Sequence, residues 1–154
     1  MAPVSLRLRT PDDDPFLYAL YSEWRSLEFD FLPPEQKNQL IRLQYLAQSR
    51  AYDASYPDSD WQIVLCGDES VGRIRISRSA EAIELVEILI AQAARNRGIG
   101  ATVIEQLKAE AIKTHKPVRA CVSTTNPGSL RFHQRLGFQI VRSTDTQLYV
   151  EWRA

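Results

Sequence analysis

The sequence predicts an α/β protein of the α+β, three-layer kind, and three observations carry that prediction. Hydrophobic periodicity switches along the chain in the order strand, two helices, three strands, helix, strand, helix, two strands, a mixed order that suits helices packed on a sheet. The 154 residues have the length of one domain, enough to bury a core. The composition, 44% hydrophobic and 25% charged, is that of an ordinary globular protein, so residues 1–154 read as a single domain.

From Ser5 to Arg9, Leu6 and Leu8 alternate with Arg7 and Arg9, the pattern of a half-buried strand. Asp12, Asp13, Asp14 and Pro15 then open a helix: a carboxylate caps, proline fits the first turn and the acids suit the dipole. Consecutive acids do not converge on one ion, so the triple reads as a cap rather than a metal site. The helix runs from Phe16 to Arg25, and Leu32-Pro33-Pro34 breaks it. A second helix is expected from about Glu35 to Tyr52, with Leu40, Gln44, Ala47, Gln48 and Ala51 on one side. Two amides in a small apolar face need partners; they bond to neighbouring backbone, or they line a pocket with Tyr52 and Tyr56.

Pro57 to Asp60 is a turn. Trp61 to Cys66 and Val71 to Ser77 read as a hairpin closed by Gly67-Asp68-Glu69-Ser70, with Ile74 and Ile76 facing inward and Arg73 and Arg75 facing out. Ile83 to Ile90 is the next strand. The helix from Ile99 to Thr114 carries Val103, Ile104, Leu107 and Ala111 on one face and ends at Lys116-Pro117. Val118, Ala120 and Val122 alternate in a further strand. Asn126 and Pro127 cap and open a short helix from Pro127 to Leu136, closed by Gly137. Phe138 to Val141 and Gln147 to Trp152 form a final hairpin.

The formal net charge of +0 argues against a general nucleic-acid or membrane-surface binder, which needs a basic excess. The first residues carry no charged-then-apolar signal pattern, and no apolar run approaches the ~20 residues of a membrane span, so the expected location is cytoplasmic. Cys66 and Cys121 show no ligand spacing with His115 and His133, so no metal site is expected. Each cysteine lies in a strand-like run, where a buried thiol is the plain reading.

The most informative stretch is Arg95-Asn96-Arg97-Gly98-Ile99-Gly100, which follows a strand and opens a helix. Free N–H groups at a helix start point at an anion, and the dipole favours negative charge there. Glycine admits close backbone approach, and arginines add charge-assisted hydrogen bonds. A P-loop needs Lys and then Ser or Thr after its last glycine, but Ala101-Thr102 follows Gly100. A dinucleotide fingerprint needs a third small residue where Val103 stands.

The remaining pattern, Arg-x-x-Gly-x-Gly between strand and helix, resembles the GNAT superfamily of acetyl-CoA-dependent N-acetyltransferases. A second segment, from Asn126 to Phe138, extends the resemblance: an asparagine, a small residue three later, an aromatic, and a Leu-Gly-Phe ending. Together the motifs cover roughly Trp61 to the C-terminus. The resemblance implies a mostly antiparallel sheet that splays where the cofactor enters, and transfer of an acetyl group from acetyl-CoA, with CoA as product. The acceptor would be an amine of a small molecule or a protein, met near the first two helices, with neither nucleic acid nor membrane as partner. Dimers are common in the family, so a homodimer is one expected assembly.

On that resemblance, the diphosphate of the cofactor rests on the N–H groups from Arg97 to Ala101, among Arg95, Asn96, Arg97, Gly98 and Gly100. The pantetheine arm pairs with the strand edge at Leu89 and Ile90, much as an added strand would. Asn126 and Ser129 serve as cofactor contacts or as caps. An attacking amine needs a general base. Glu84 and Glu87 lie in an otherwise apolar strand, where burial would raise a carboxyl's pKa. In a regular strand two residues three apart point to opposite faces, so at most one faces the reaction unless a bulge intervenes. Glu87 matches the place where many family members carry an acid. Many members also use a tyrosine to meet the leaving thiolate; here His133 holds that position, and histidine can donate a proton near neutral pH. That replacement keeps a second reading open, a non-catalytic acyl-CoA-binding or sensor module.

Overall fold

Alternation in the strands sorts side chains onto two sheet faces, and the computed structural model, which describes residues 2–154, shows what covers each. Seven strands, β1 (Val4–Leu8), β2 (Trp61–Cys66), β3 (Glu69–Arg78), β4 (Ile83–Ile90), β5 (Val118–Ser123), β6 (Gln139–Ser143) and β7 (Gln147–Trp152), form one sheet in the order β1-β2-β3-β4-β5-β7-β6. All neighbours are antiparallel except β4 and β5. Four helices complete it: α1 (Asp14–Ser26), α2 (Pro34–Ser55), α3 (Ile99–Thr114) and α4 (Pro127–Arg135).

One face holds the apolar core. Val64, Ile74, Ile76, Ile83, Leu85 and Val118 meet Ile99, Val103, Ile104, Leu107 and Ala111 of α3, the stripe read from the sequence. Leu130, Phe132 and Leu136, at and just past α4, pack against the same cluster. The entry to α1 is fixed by Asp13, which accepts from the Thr10 N–H at 2.8 Å and from both Arg7 Nη atoms at 2.8 Å. The Arg7 guanidinium, with help from the Thr10 amide, holds the Asp13 carboxyl well below the usual carboxylate range.

The other face differs from the expectation. Arg73 and Arg75 are fully buried rather than outward, because α1 and α2 cover them. Alternation assigns residues to faces without saying which face stays wet. Here the second face is lined by Trp61, Tyr21 and Tyr52, whose rings receive the guanidinium groups. Both helices also run longer than expected. α2 continues past Tyr52 until the Tyr56 N–H closes on the Tyr52 carbonyl at 2.8 Å.

Two irregularities shape the sheet beside α3. β4 pairs with β5 only at Ile83–Val118, Glu84–Arg119 and Leu85–Ala120. Beyond Leu85 an extra residue, Val86, bulges between the pairs Ile76–Leu85 and Arg75–Glu87. From there β4 follows β3 while β5 stays with β7 along its whole length, and the two parallel strands part. Gly72 lies where β3 crosses the end of β4. A Cβ there would stand 2.5 Å from the Leu89 carbonyl oxygen and 2.9 Å from Ile90 Cδ1. Gly72→Ala should therefore destabilise the protein by about 1–3 kcal/mol through overpacking, read as a lower urea midpoint at unchanged slope.

Candidate active site

The parted strands open a cleft of about 890 Å³ whose walls are the ends of β4 and β5, the loop into α3, and α4. The loop has the geometry that an anion site needs. Asn96 (φ 62°) and Gly98 (φ 74°) both take left-handed backbone, which turns successive amides to one side. The first amide of α3 to close a helical bond is that of Thr102, on the Gly98 carbonyl at 3.0 Å. The amides of Gly98, Ile99, Gly100 and Ala101 have no backbone acceptor among the described residues. Arg95 lies beside them, its Nε donating to the Ile90 carbonyl at 3.0 Å. Four orphan donors, a cation and the helix dipole make a donor set that fits a diphosphate.

The cleft brings together most residues anticipated from the sequence. Glu87, Leu89, Ile90, Arg95, Asn96, Gly98, Gly100, Ala101, Asn126, Ser129 and His133 all line it. Asn126 also caps α4, its Oδ1 accepting from the Ser129 N–H at 3.1 Å. Arg97 is the exception: its side chain turns back to β2, with Nη2 3.7 Å from Cys66 Sγ. Past Leu85 the side of β4 facing the gap has no strand partner, so alternate N–H and C=O groups are presented to it. An extended arm that carries amides fits that edge.

Glu87 stands on the α1–α2 side of the parting. The bulge at Val86 restores parity, so Glu84 and Glu87 share a face: Glu84 meets the Tyr56 phenol and Glu87 meets Gln48. The alternative that the sequence left open for a bulge is the one realised. Burial pushes the Glu87 carboxyl up, and Arg73, Gln48 and Arg75 pull part of the way back. Arg73 Nη2 lies 2.7 Å from Glu87 Oε2, yet that oxygen has no hydrogen bond of good angle. The pair is thus a contact of charges more than an aligned bond.

Neither amide of α2 behaves as expected. Gln48 donates to Glu87 Oε1 at 3.3 Å and accepts from Arg73 Nη2 at 2.9 Å, and Gln44 accepts from Arg25 at 2.8 Å. Both bond to side chains rather than backbone, and neither lines the cleft. Trp24 and Tyr52 do line it, beside Glu87. Burial, and then the Glu87 charge, push the Tyr52 phenol up to about 12. Trp24 escaped the sequence reading, although its spacing from Leu17, Leu20 and Tyr21 puts it on the inward stripe of α1. Cys121 and Gln147, from β5 and β7, also reach the cleft and hold each other, Sγ to Oε1 at 3.0 Å.

His133 has a defined tautomer. Its Nδ1 lies 2.8 Å from the Ser129 carbonyl, which can only accept, so Nδ1 carries the proton. Nε2 is then a bare lone pair, buried and without a partner among the described residues. The ring stands edge-on to Phe132 and Phe138 at 5.4 and 5.2 Å. Burial lowers its basicity, offset in part by the Ser129 bond.

A family model described as an acetyltransferase (GNAT) domain matches residues 4–139. No curated protein sequence matches the chain. Among solved structures the fold is similar to the PaiA N-acetyltransferase from Thermoplasma acidophilum in complex with coenzyme A, with a TM-score of 0.72 at 18% identity over 99% of each chain. It is similar to an acetyltransferase from Thermus thermophilus, at 0.70 and 24% over 99% of this chain and 97% of that one. A GNAT family acetyltransferase from Elizabethkingia anophelis with acetyl-CoA bound gives 0.63 and 13% over 98% of each chain. At these identities the likeness is one of fold.

The buried histidine sets a pH dependence. Its folded pKa lies below the unfolded value near 6.5, so the unfolded chain takes the proton first on acidification. The stability involved is fully present above about pH 6.5 and is lost as pH falls from there toward the folded value. Urea midpoints measured at about pH 7.5 and pH 5.5 should fall further for the parent protein than for His133→Leu. An equal fall in both would show that His133 is not held neutral.

Proposed function

Because the chain belongs to the GNAT acetyltransferase family, we propose that it acts as a single acetyltransferase domain, moving an acetyl group from acetyl-CoA to a primary amine of a small molecule or protein. One observation carries this reading. The gap between β4 and β5 joins a nest of orphan amides at the start of α3 to a buried carboxylate on the far side of the sheet. When bound, acetyl-CoA supplies a thioester carbonyl, the electrophile for an amine.

The residues divide the work by position. The amides from Gly98 to Ala101, with Arg95 beside them, hold the diphosphate. The edge of β4 near Leu89 and Ile90, where the Ile90 carbonyl already accepts from Arg95, orients the pantetheine arm, and its free amides can polarise a carbonyl oxygen lying against them. An amine arrives as an ammonium ion and must lose a proton before it can attack. Glu87 takes that proton, its basicity raised by burial. Trp24 and Tyr52 line the cleft beside it. His133 offers Nε2 as an acceptor and can pass a proton to a thiolate only after gaining one there.

The bare Nε2 of His133 also favours a second reading, a non-catalytic acyl-CoA-binding or sensor module, since the neutral tautomer has no proton to give at that atom. Turnover separates the two. Acetyl-CoA and CoA should raise the melting temperature, a gain of about 2.7 kcal/mol at a hundredfold excess over Kd. A panel of amines should release CoA from acetyl-CoA. Gly98→Val, strained at its positive φ, should lose the CoA-induced shift while its far-ultraviolet circular dichroism stays native. Glu87→Gln should keep the shift and lower turnover by about 100- to 10,000-fold. Stabilisation without turnover on any amine favours the sensor; no stabilisation at millimolar CoA removes both readings.

A further inference from the structure

Beneath the Glu87 carboxylate lies a cation whose setting is unusual for a purely structural residue. Arg73 is fully buried on β3. Its guanidinium carbon stands 4.0 Å from the Trp61 ring centroid and 5.3 Å from that of Tyr21. Nη2 alone makes polar contacts, at 2.9 Å to Gln48 Oε1 and 2.7 Å to Glu87 Oε2. Nε and Nη1 have no acceptor among the described residues. Buried orphan donors are costly, and an apolar side chain of similar volume often serves stability as well as a buried ion pair does. The aromatic faces hold the cation in place while its one engaged nitrogen points to the carboxylate that borders the cleft.

We propose that Arg73 is a positioning residue: together with Gln48 it fixes the Glu87 carboxylate beside the parted strands and keeps it ionised there. Glu87 can then accept the proton of an incoming ammonium group. The source of that proton rests on the acetyl-transfer reading above. Three side chains close a ring, since Gln48 accepts from Arg73 and donates to Glu87 Oε1 while Arg73 faces Oε2. Each carboxylate oxygen thereby has its own neighbour, Oε1 through a hydrogen bond and Oε2 through a close contact of charges.

The groups around Glu87 leave this task to Arg73. From β3 come Arg73 and Arg75; from α2 comes Tyr52, and from α1 Tyr21. Arg75 is committed elsewhere, its Nε on Ser59 Oγ at 2.9 Å and its Nη2 on Asp53 Oδ1 at 2.8 Å. Burial raises both phenols, so they stay neutral beside the carboxylate through neutral pH. Without the Arg73 charge, a carboxylate in such a wall takes up a proton at a higher pH and cannot act as a base.

The test is a carbon-13 NMR titration of the side-chain carboxyls in the full chain, labelled at the glutamate δ-carbon, with Glu87 assigned by its loss in Glu87→Gln. In Arg73→Met the Glu87 midpoint should rise by about one to three pH units, the reach of a cation in hydrogen-bonding range of a carboxylate. Arg73→Lys, which keeps the charge, should recover most of that rise. Gln48→Leu should raise the midpoint by less than Arg73→Met. An unmoved midpoint in Arg73→Met overturns the proposal, as does Arg73→Lys titrating like Arg73→Met. If Arg73→Met fails to fold, Gln48→Leu decides, and no rise there is equally fatal. The titration needs no acceptor. A midpoint that moves while no amine is acetylated supports the role of Arg73 and counts against acetyl transfer. Acetylation with an unmoved midpoint does the reverse.

Discussion

β4 and β5 hydrogen-bond over three residue pairs and then separate, while each continues on its other neighbour. β5 matches β7 from Val118 to Ser123, and β4 stays on β3 to Ile90. The parting begins where Val86 bulges and bends β4. A sheet interior normally has no room for a ligand, since adjacent strands lie about 4.8 Å apart. Parting them produces two edges inside the sheet, with free backbone groups that an extended arm can satisfy without demanding particular side chains. The start of α3 faces one end of this opening, and Glu87 and Trp24 face the other.

The two faces of the sheet serve different ends. Under α3 and α4 the core is aliphatic and close-packed, the source of most stability. Under α1 and α2 the layer is aromatic and charged. Arg73, Arg75, Glu87 and Gln48 lie among Tyr21, Tyr52 and Trp61, and the rings accept the guanidinium groups as both cover and counterpart. Such a layer contributes less to stability than an apolar one of the same volume. What it adds is a carboxylate of set orientation next to the cleft.

His133 stands where the family resemblance leads one to expect a tyrosine, and an imidazole there offers different chemistry. A phenol presents an O–H to the cleft. The imidazole, tied through Nδ1 to the Ser129 carbonyl, keeps only a buried lone pair at Nε2. With that lone pair buried and the ring edge-on between Phe132 and Phe138, this residue offers no proton to the cleft in the resting state.

The sequence by itself determined the order and type of the elements, the glycine-bearing turn into α3 and the family. Those signals are local: hydrophobic period, caps such as Asn126, and the glycines that admit left-handed backbone at Gly98. Glu87 and His133 could be proposed from the family resemblance, and both line the cleft. What surrounds them was decided by the tertiary structure alone. Arg73 and Arg75 read as outward residues until α1 and α2 are seen to cover them, and Gln48 finds its partners on strands far along the chain. The shared face of Glu84 and Glu87 hangs on the bulge at Val86, and Arg97 leaves the cleft for Cys66. Periodicity describes one element at a time, whereas burial, register and charge pairing arise between elements, where packing chooses the partner.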